Sequence, residues 1–497
     1  MTEKSFGRSF ILLLLAFLVL LVYQVLYDYY PVFGDKYRNF TFFNGWSASE
    51  PADTMKISPE SVPVSAVCDS LTLKALSDSV TSALQVADSA SAPAPAVITT
   101  GLDHFSQALH ELAAGKRKKV RIAWFGDSMI EGDLIVMTFR NAMQKEFGGE
   151  GVGMLPMTSP VAGFRITVKQ TFSNNWKEWN VVEQKPLRFP PGLFCSVYSG
   201  KVRDPEEQFW VKYKGTGTFT NTLTFHNATL FYGTPRMLKD TLSKDTVSGL
   251  PVIDVFNGDR LIGSMPLDTN GYLHKLELFS SPLQEFTIYC RSDSAVPYYG
   301  VSIESDSGIF IDNFASRGNS GIGLWQISDN LLRQFQDLLQ YDLVILQFGT
   351  NAMSPGMTDY NWYGHSMNKV LAKLRQGFTG SSFLLVSVAD RAMKGENGMQ
   401  TDPGVPEMVK VQRRIALSND MDFLDLYSAM GGEGTIVRWT DQEEPLANKD
   451  YTHVNFKGAR KISDIIFSHV MKAYRSTVIK ADTVAADTVK PVNDSVR

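Results

Sequence analysis

Cysteine is scarce in this chain, and neither sign of charge is in large surplus. Only Cys68, Cys195 and Cys290 occur in 497 residues, too few for a disulfide framework or a cysteine-based zinc cluster. One bridge at most can form, with Cys195 and Cys290 the more plausible partners. Lys and Arg number 48 against 52 Asp and Glu, a formal charge of -4. That leaves no basic surplus of the kind a nucleic-acid face demands, so no nucleic-acid partner is expected. No internal repeat is visible, which sets solenoids and propellers aside. No group of His, Asp and Glu has ligand spacing, so neither a metal nor a cofactor is expected. What remains is a composition 44% hydrophobic and 11% aromatic, typical of a globular protein and long enough for two or three folded units.

The longest apolar run lies near the start. FILLLLAFLVLLVYQVL, Phe10 to Leu26, has Gln24 as its only strongly polar member, and at helical rise it is about long enough to span a bilayer. Lys4 and Arg8 precede it, which by the positive-inside tendency keeps residues 1–8 cytoplasmic and sends the rest across. The bulky YDYYPVFGDKY that follows suits a membrane interface better than a signal cleavage site. An uncleaved single-pass anchor over 9–27 in the inner (cytoplasmic) membrane is therefore expected, with the folded part in the periplasm or outside. A cleaved signal peptide is the rival reading. Residues 28–100, rich in Ser, Ala, Pro and Val without a stable period, read as a linker or stalk. The end of the chain, 477–497, reads as a disordered tail.

Between them the pattern is α/β. VRIAWFGDSMIEGD couples a β-type run to a glycine turn and then to helical spacing at Ile130, Leu134, Met137 and Met143. GIFIDNF, LVILQFGTN, SSFLLVSVADR and MDFLDLYSAM supply further buried strands, the last with a helical start. Alternating strands and helices predict a parallel sheet with helices on both faces, over 101–149 and 306–476. Residues 150–305 differ, with short alternating segments such as QFWVKYKG, VIDVFNG and LQEFTIYC between Gly, Asn and Asp turns. They predict a β-sandwich inserted after the first strand–helix pair.

The candidate chemistry lies at strand ends, where open parallel sheets bind ligands. Ser128 follows the first strand in a glycine turn that presents its hydroxyl to a cleft, although a serine there also serves as a helix N-cap. A serine needs a base within hydrogen-bond reach. His453 stands three residues after Asp450, the only Asp-x-x-His in the chain. That spacing lets the carboxylate hold one ring nitrogen and turn the other toward the serine; a plain surface loop is the alternative. The other six histidines lack comparable company in sequence. Asn351, after Gly349 and Thr350, and Gly318, in ASRGNSGIG, could donate to a developing oxyanion. Both also read as ordinary turn residues, and Gly321 is an equal-looking rival to Gly318.

In order, Gly-Asp-Ser, a glycine turn, Gly-x-Asn and a late Asp-x-x-His resemble the blocks of the SGNH (GDSL-type) hydrolase family. The resemblance implies Ser128 as nucleophile, His453 as base and Asp450 as its partner. It implies an oxyanion hole made by Ser128, Gly318 and Asn351. One departure stands out: Ala352 replaces the Asp that often follows the asparagine. The insert after the Ser block is similar to the arrangement in peptidoglycan O-acetylesterases, with a carbohydrate-binding-like module interrupting the hydrolase. The resemblance thus implies a carbohydrate O-acetylesterase acting on an O-acetylated polysaccharide, with peptidoglycan the leading candidate. An O-acetyltransferase acting on an exopolysaccharide would use the same triad. A non-catalytic glycan-binding protein is the alternative from another class. Trp176, Trp179, Trp210, Tyr213 and Tyr298 of the insert are candidates to stack on sugar rings, and core packing is their commoner use.

Overall fold

A computed structural model describes residues 101–183, 186–200, 209–236, 250–292 and 295–487. The anchor expected over 9–27 and the linker over 28–100 lie outside the described residues, as does Cys68. Among the described residues no helix is long and apolar enough to cross a membrane.

Five strands, β1 (Lys119–Gly126), β2 (Gly308–Ala315), β3 (Leu343–Gln347), β4 (Ser382–Val386) and β5 (Asp422–Leu424), form a parallel sheet in the order β2-β1-β3-β4-β5. Among the described residues eight α-helices accompany them: α1 (Asp103–Ala113), α2 (Leu134–Phe147), α3 (Asp329–Leu339), α4 (Asn361–Gly377), α5 (Gly404–Ser418), α6 (Leu426–Met430), α7 (Thr435–Asp441) and α8 (Phe456–Asp487). Side chains alternate across a strand, so each strand feeds two cores. Val120, Ile122 and Trp124 of β1 join one core with Phe105 of α1, Phe139 of α2 and Ile462, Ile466 and Val470 of α8. Ala123 and Phe125 face the opposite core with Phe335 of α3, Leu371 of α4 and Met408 of α5. Helices therefore cover both faces of the sheet.

Between α2 and β2, eleven strands build two antiparallel sheets. One has six strands and the other five, with a shared core that includes Tyr213, Ile253, Phe286, Cys290, Tyr298 and Val301. The six-stranded sheet is buried on both sides. In strand Asn227–Gly233, Leu230 and Tyr232 point into the sandwich, while Phe231 points into the core shared with α3, as does Tyr299 of Tyr298–Glu304. The sandwich and the parallel sheet are thus fused through a common apolar layer. Buried polar groups add to the joint. Arg121 of β1 pairs with Asp312 of β2 (3.0 Å) and with Glu304 of the sandwich, and Asp312 also accepts the Met154 N–H at 2.7 Å.

Several expectations need correcting. The helix after Ser128 does not start at the turn: Gly132 and Asp133 both take left-handed backbone angles, so α2 begins only at Leu134. Cys195 and Cys290 are free, buried thiols. They face different cores on opposite sides of the six-stranded sheet, which prevents their pairing. The last helix runs on to Asp487, through the first eleven residues of the stretch expected to be a disordered tail. No Gly or Pro interrupts TVIKADTVAAD, so nothing in that sequence stops a helix. Tyr213 and Tyr298 are fully buried and cannot meet a sugar.

Candidate active site

The carboxyl ends of β1, β2 and β3 are level: Gly126 is aligned with Ala315 on one side and Gln347 on the other. The connection from β1 leads toward β2 and that from β3 leads toward β4, so the strand order reverses between β1 and β3. Ligands of open α/β sheets bind at such a point, and Ser128 and Asn351 come from the loops that leave it.

Ser128 lies two residues beyond β1. The carbonyl of Ser128 accepts from the Glu131 N–H at 3.3 Å, and the short turn that follows is anchored from below by Asp133. That carboxylate is buried and takes two bonds from Arg140 (2.7 and 3.0 Å) and one from Asn313 (3.1 Å). Burial would raise its pKa, but the guanidiniums of Arg140 and Arg165 outweigh that and hold it low. The turn is therefore rigid by construction.

His453 arrives from a loop before α8. Asp450 shapes that loop: its Oδ1 accepts the backbone N–H groups of Thr452 and His453, both at 3.0 Å, and its Oδ2 meets His453 Nδ1 at 2.7 Å. Tyr451 turns through a left-handed conformation, φ 52°. Desolvation pushes the Asp450 carboxyl up, yet the hydrogen bonds it accepts from His453 and Thr452 bring it below its ordinary value. Since a carboxylate has no hydrogen to give, Nδ1 must donate, and Nε2 is left as an acceptor. Nε2 lies 2.9 Å from Ser128 Oγ, so the serine hydroxyl donates to it. The three residues line a cleft of about 220 Å³, with Leu134, Phe164 and the Glu131–Arg317 ion pair in its walls. None of the five aromatics named above lines it.

The other histidines are not without carboxylates: His226 meets Glu150 at 2.8 Å and His469 meets Asp422 at 2.9 Å. Spatial neighbours far apart in sequence supply these pairs. Among the described residues, only His453 also has a serine hydroxyl on its second nitrogen.

Gly318 and Asn351 stand on the loops either side of Ser128, and no hydrogen bond joins either to it. The Gly321 N–H is committed to Asn319 Oδ1 at 2.9 Å. Those of Ser128 and Gly318 meet no protein acceptor, which separates Gly318 from its rival. Asn351 Nδ2 donates to the Asn319 carbonyl at 3.1 Å, and its second N–H remains available. Asn319, unremarked in the sequence, holds this edge together. Its Oδ1 accepts from Gly321 and Gly323 (2.9 and 3.2 Å), and its Nδ2 reaches Cys195 Sγ of the sandwich at 3.4 Å. The only sequence signal was its place beside Gly318 after a strand. With Ala at 352, the Asn351 loop is braced from elsewhere: Gln412 donates to the Phe348 carbonyl at 2.7 Å, and Arg391, paired with Asp402, reaches the Thr350 carbonyl at 3.4 Å. Gly349, φ 126°, is required there, since a Cβ would stand 2.6 Å from Val388 Cγ1.

No family model and no curated protein matches the sequence. Solved structures do. One described as a peptidoglycan O-acetylesterase aligns with TM-score 0.59 and 19% identity, covering 75% of this chain and 96% of its own. An acetyl xylan esterase aligns at 22% identity over 33% of this chain and 81% of its own, TM-score 0.26. A lipase/acylhydrolase from Enterococcus faecalis aligns at 17% over 33% and 76%, TM-score 0.24. The chain has an SGNH hydrolase-like fold. In it the Ser and Asn blocks follow the adjacent strands β1 and β3, the Gly block follows β2 on the other side of β1, and the Asp-x-x-His block crosses over them from the loop before α8.

Proposed function

We propose that this chain is a serine esterase that removes O-acetyl groups from a glycan, peptidoglycan being the leading candidate. The observation that carries the reading is the Ser128–His453–Asp450 relay, 2.9 and 2.7 Å, beside unpartnered N–H groups. Ser128 Oγ attacks the acetyl carbonyl carbon as its proton passes to His453 Nε2. Asp450 keeps the ring in the tautomer this needs. The N–H groups of Ser128 and Gly318 and the spare N–H of Asn351 receive the oxyanion. His453 returns the proton to the departing sugar oxygen, leaving an acetyl-serine. Water then attacks that ester, giving its proton to His453, and acetate leaves as the proton returns to Ser128.

The alignment with the peptidoglycan O-acetylesterase supports the glycan assignment, because it spans 75% of this chain and so includes most of the sandwich as well as the parallel sheet. A cleft of about 220 Å³ suits a small acyl group. We further propose that the run at 9–27 anchors the protein in the cytoplasmic membrane with the esterase on the outer side. The deciding experiment is acetate release from O-acetylated peptidoglycan by the full-length chain beside Ser128→Ala. Release that the substitution abolishes supports the reading. Equal acetate from both proteins, or none from either on peptidoglycan or on p-nitrophenyl acetate, overturns it.

A further inference from the structure

A second cavity, of about 250 Å³, adjoins the catalytic cleft. The two share Glu131 and Arg317, whose ion pair forms the partition between them. Its floor is the end of β2 and its far wall is the sandwich, so it exists only because the insert is present. Its volume is enough for one sugar ring with its substituents.

Two polar side chains from the sandwich face this space with bonding capacity unused. Arg165 is largely buried, its side chain 11% exposed. Nη1 lies 3.3 Å from Asp133 Oδ2, and its other N–H groups meet no protein acceptor. Glu178 accepts the Ser196 hydroxyl on Oε1 at 2.6 Å, and no protein donor reaches its Oε2. Burial raises its pKa, with the Ser196 hydroxyl acting the other way. Both open groups reach solvent in the free protein, so a ligand that meets them replaces water with direct hydrogen bonds. Phe194 and Val182 supply apolar wall between them. The lining carries both signs of charge: Arg317 pairs with Glu131, and Arg165 shares the wall with Glu178 and Glu183. The wall therefore suits a neutral ligand with both donors and acceptors and an apolar face, which is the chemistry of a pyranose.

We infer that this cavity is a sugar subsite, in which Arg165 and Glu178 bind hydroxyl or amide groups of the pyranose next to the acetylated one. The inference rests on the esterase reading and says what that esterase holds beyond the acetyl group. The sandwich then acts in specificity by closing the substrate site.

The test compares kcat/KM for an O-acetylated tetrasaccharide, prepared from O-acetylated peptidoglycan, with kcat/KM for p-nitrophenyl acetate, which has no sugar. It uses the full-length chain, Glu178→Ala and Glu178→Leu, with circular dichroism and melting as checks of folding. The ratio of the two constants should fall about tenfold or more in each variant, through KM, as expected for one lost buried hydrogen bond to a ligand. Glu178→Gln, which keeps an acceptor, should recover most of it. An unchanged ratio in folded variants overturns the subsite and leaves the esterase standing. So does an equal fall on both substrates, which would make Glu178 a support of the catalytic turn. A wild-type chain inactive on both substrates refutes the esterase reading itself.

Discussion

Asp127 precedes the serine with its side chain almost wholly buried, one oxygen accepting the Met129 N–H at 2.9 Å and the other without a partner. Burial pushes its pKa from 3.8 to about 6, against the pull of the Met129 hydrogen bond and His453. The folded state therefore binds a proton more tightly than the unfolded chain, and stability falls as pH rises between those values. A shift of that size corresponds to roughly 3 kcal/mol. Asp127→Asn should gain about that much relative to wild type between pH 4 and pH 7.5, measured by urea unfolding at both; parallel curves would refute it. At the histidine, Asp450→Asn removes the acceptor that fixes the tautomer, and kcat on p-nitrophenyl acetate should fall by about 10³ or more. Asn319 acts one step back, as a positioning residue. Asn319→Ala frees the Gly321 and Gly323 N–H groups and loosens the Gly318 loop. It should lower kcat about 10²-fold with KM little changed, and an equal rise in KM would assign it to binding instead.

At the scale of elements, the turn between β1 and α2 does the most for the site. It holds two left-handed residues, Gly132 and Asp133, both at φ 68°. Asp133 can adopt that conformation because Arg140, two turns of chain later in α2, ties its carboxylate down with two hydrogen bonds. Removing one partner of a buried pair leaves an uncompensated charge, at a cost of about 3–5 kcal/mol. Arg140→Met should lose that much in denaturant unfolding and should also lower activity, because the turn carries Ser128. Full stability in the variant would show that Arg165 and Asn313 suffice. The loop after β3 makes the opposite case. Residues 348–358 carry no charge, and Gln412 and Arg391 brace them from other elements.

For the whole molecule, the six-stranded sheet packs on both sides, so sandwich and parallel sheet share one core. Calorimetry of the full chain should show one cooperative transition for the described part. Phe231→Ala, which opens a cavity in the shared layer, should cost about 3–5 kcal/mol and move that transition as a unit. Two separated transitions would show that the insert folds independently. The common layer is also what lets the insert wall a cavity beside the Ser128–His453 cleft.

The parallel strands were legible because they carry short apolar runs, IAWF, IFI, LVIL and FLLV in the first four, each ending in glycine or polar punctuation, and the sandwich because its strands alternate. Asp450 and His453 could be read as a pair because they stand three positions apart in one loop. Ser128 was legible only as a serine in a glycine turn. That it faces His453 across 325 positions follows from the order of the sheet, which no local pattern states. The same holds for Asn319 and Gln412, whose hydrogen bonds run to backbone groups brought near by folding. The two cysteines looked pairable because sequence carries no information on which side of a sheet each strand turns. Local composition and periodicity determined the elements and the order of the reactive residues. Only tertiary structure decided which glycine N–H is free, which histidine meets a serine, and what the sandwich adds to the site, because each depends on contacts between distant segments.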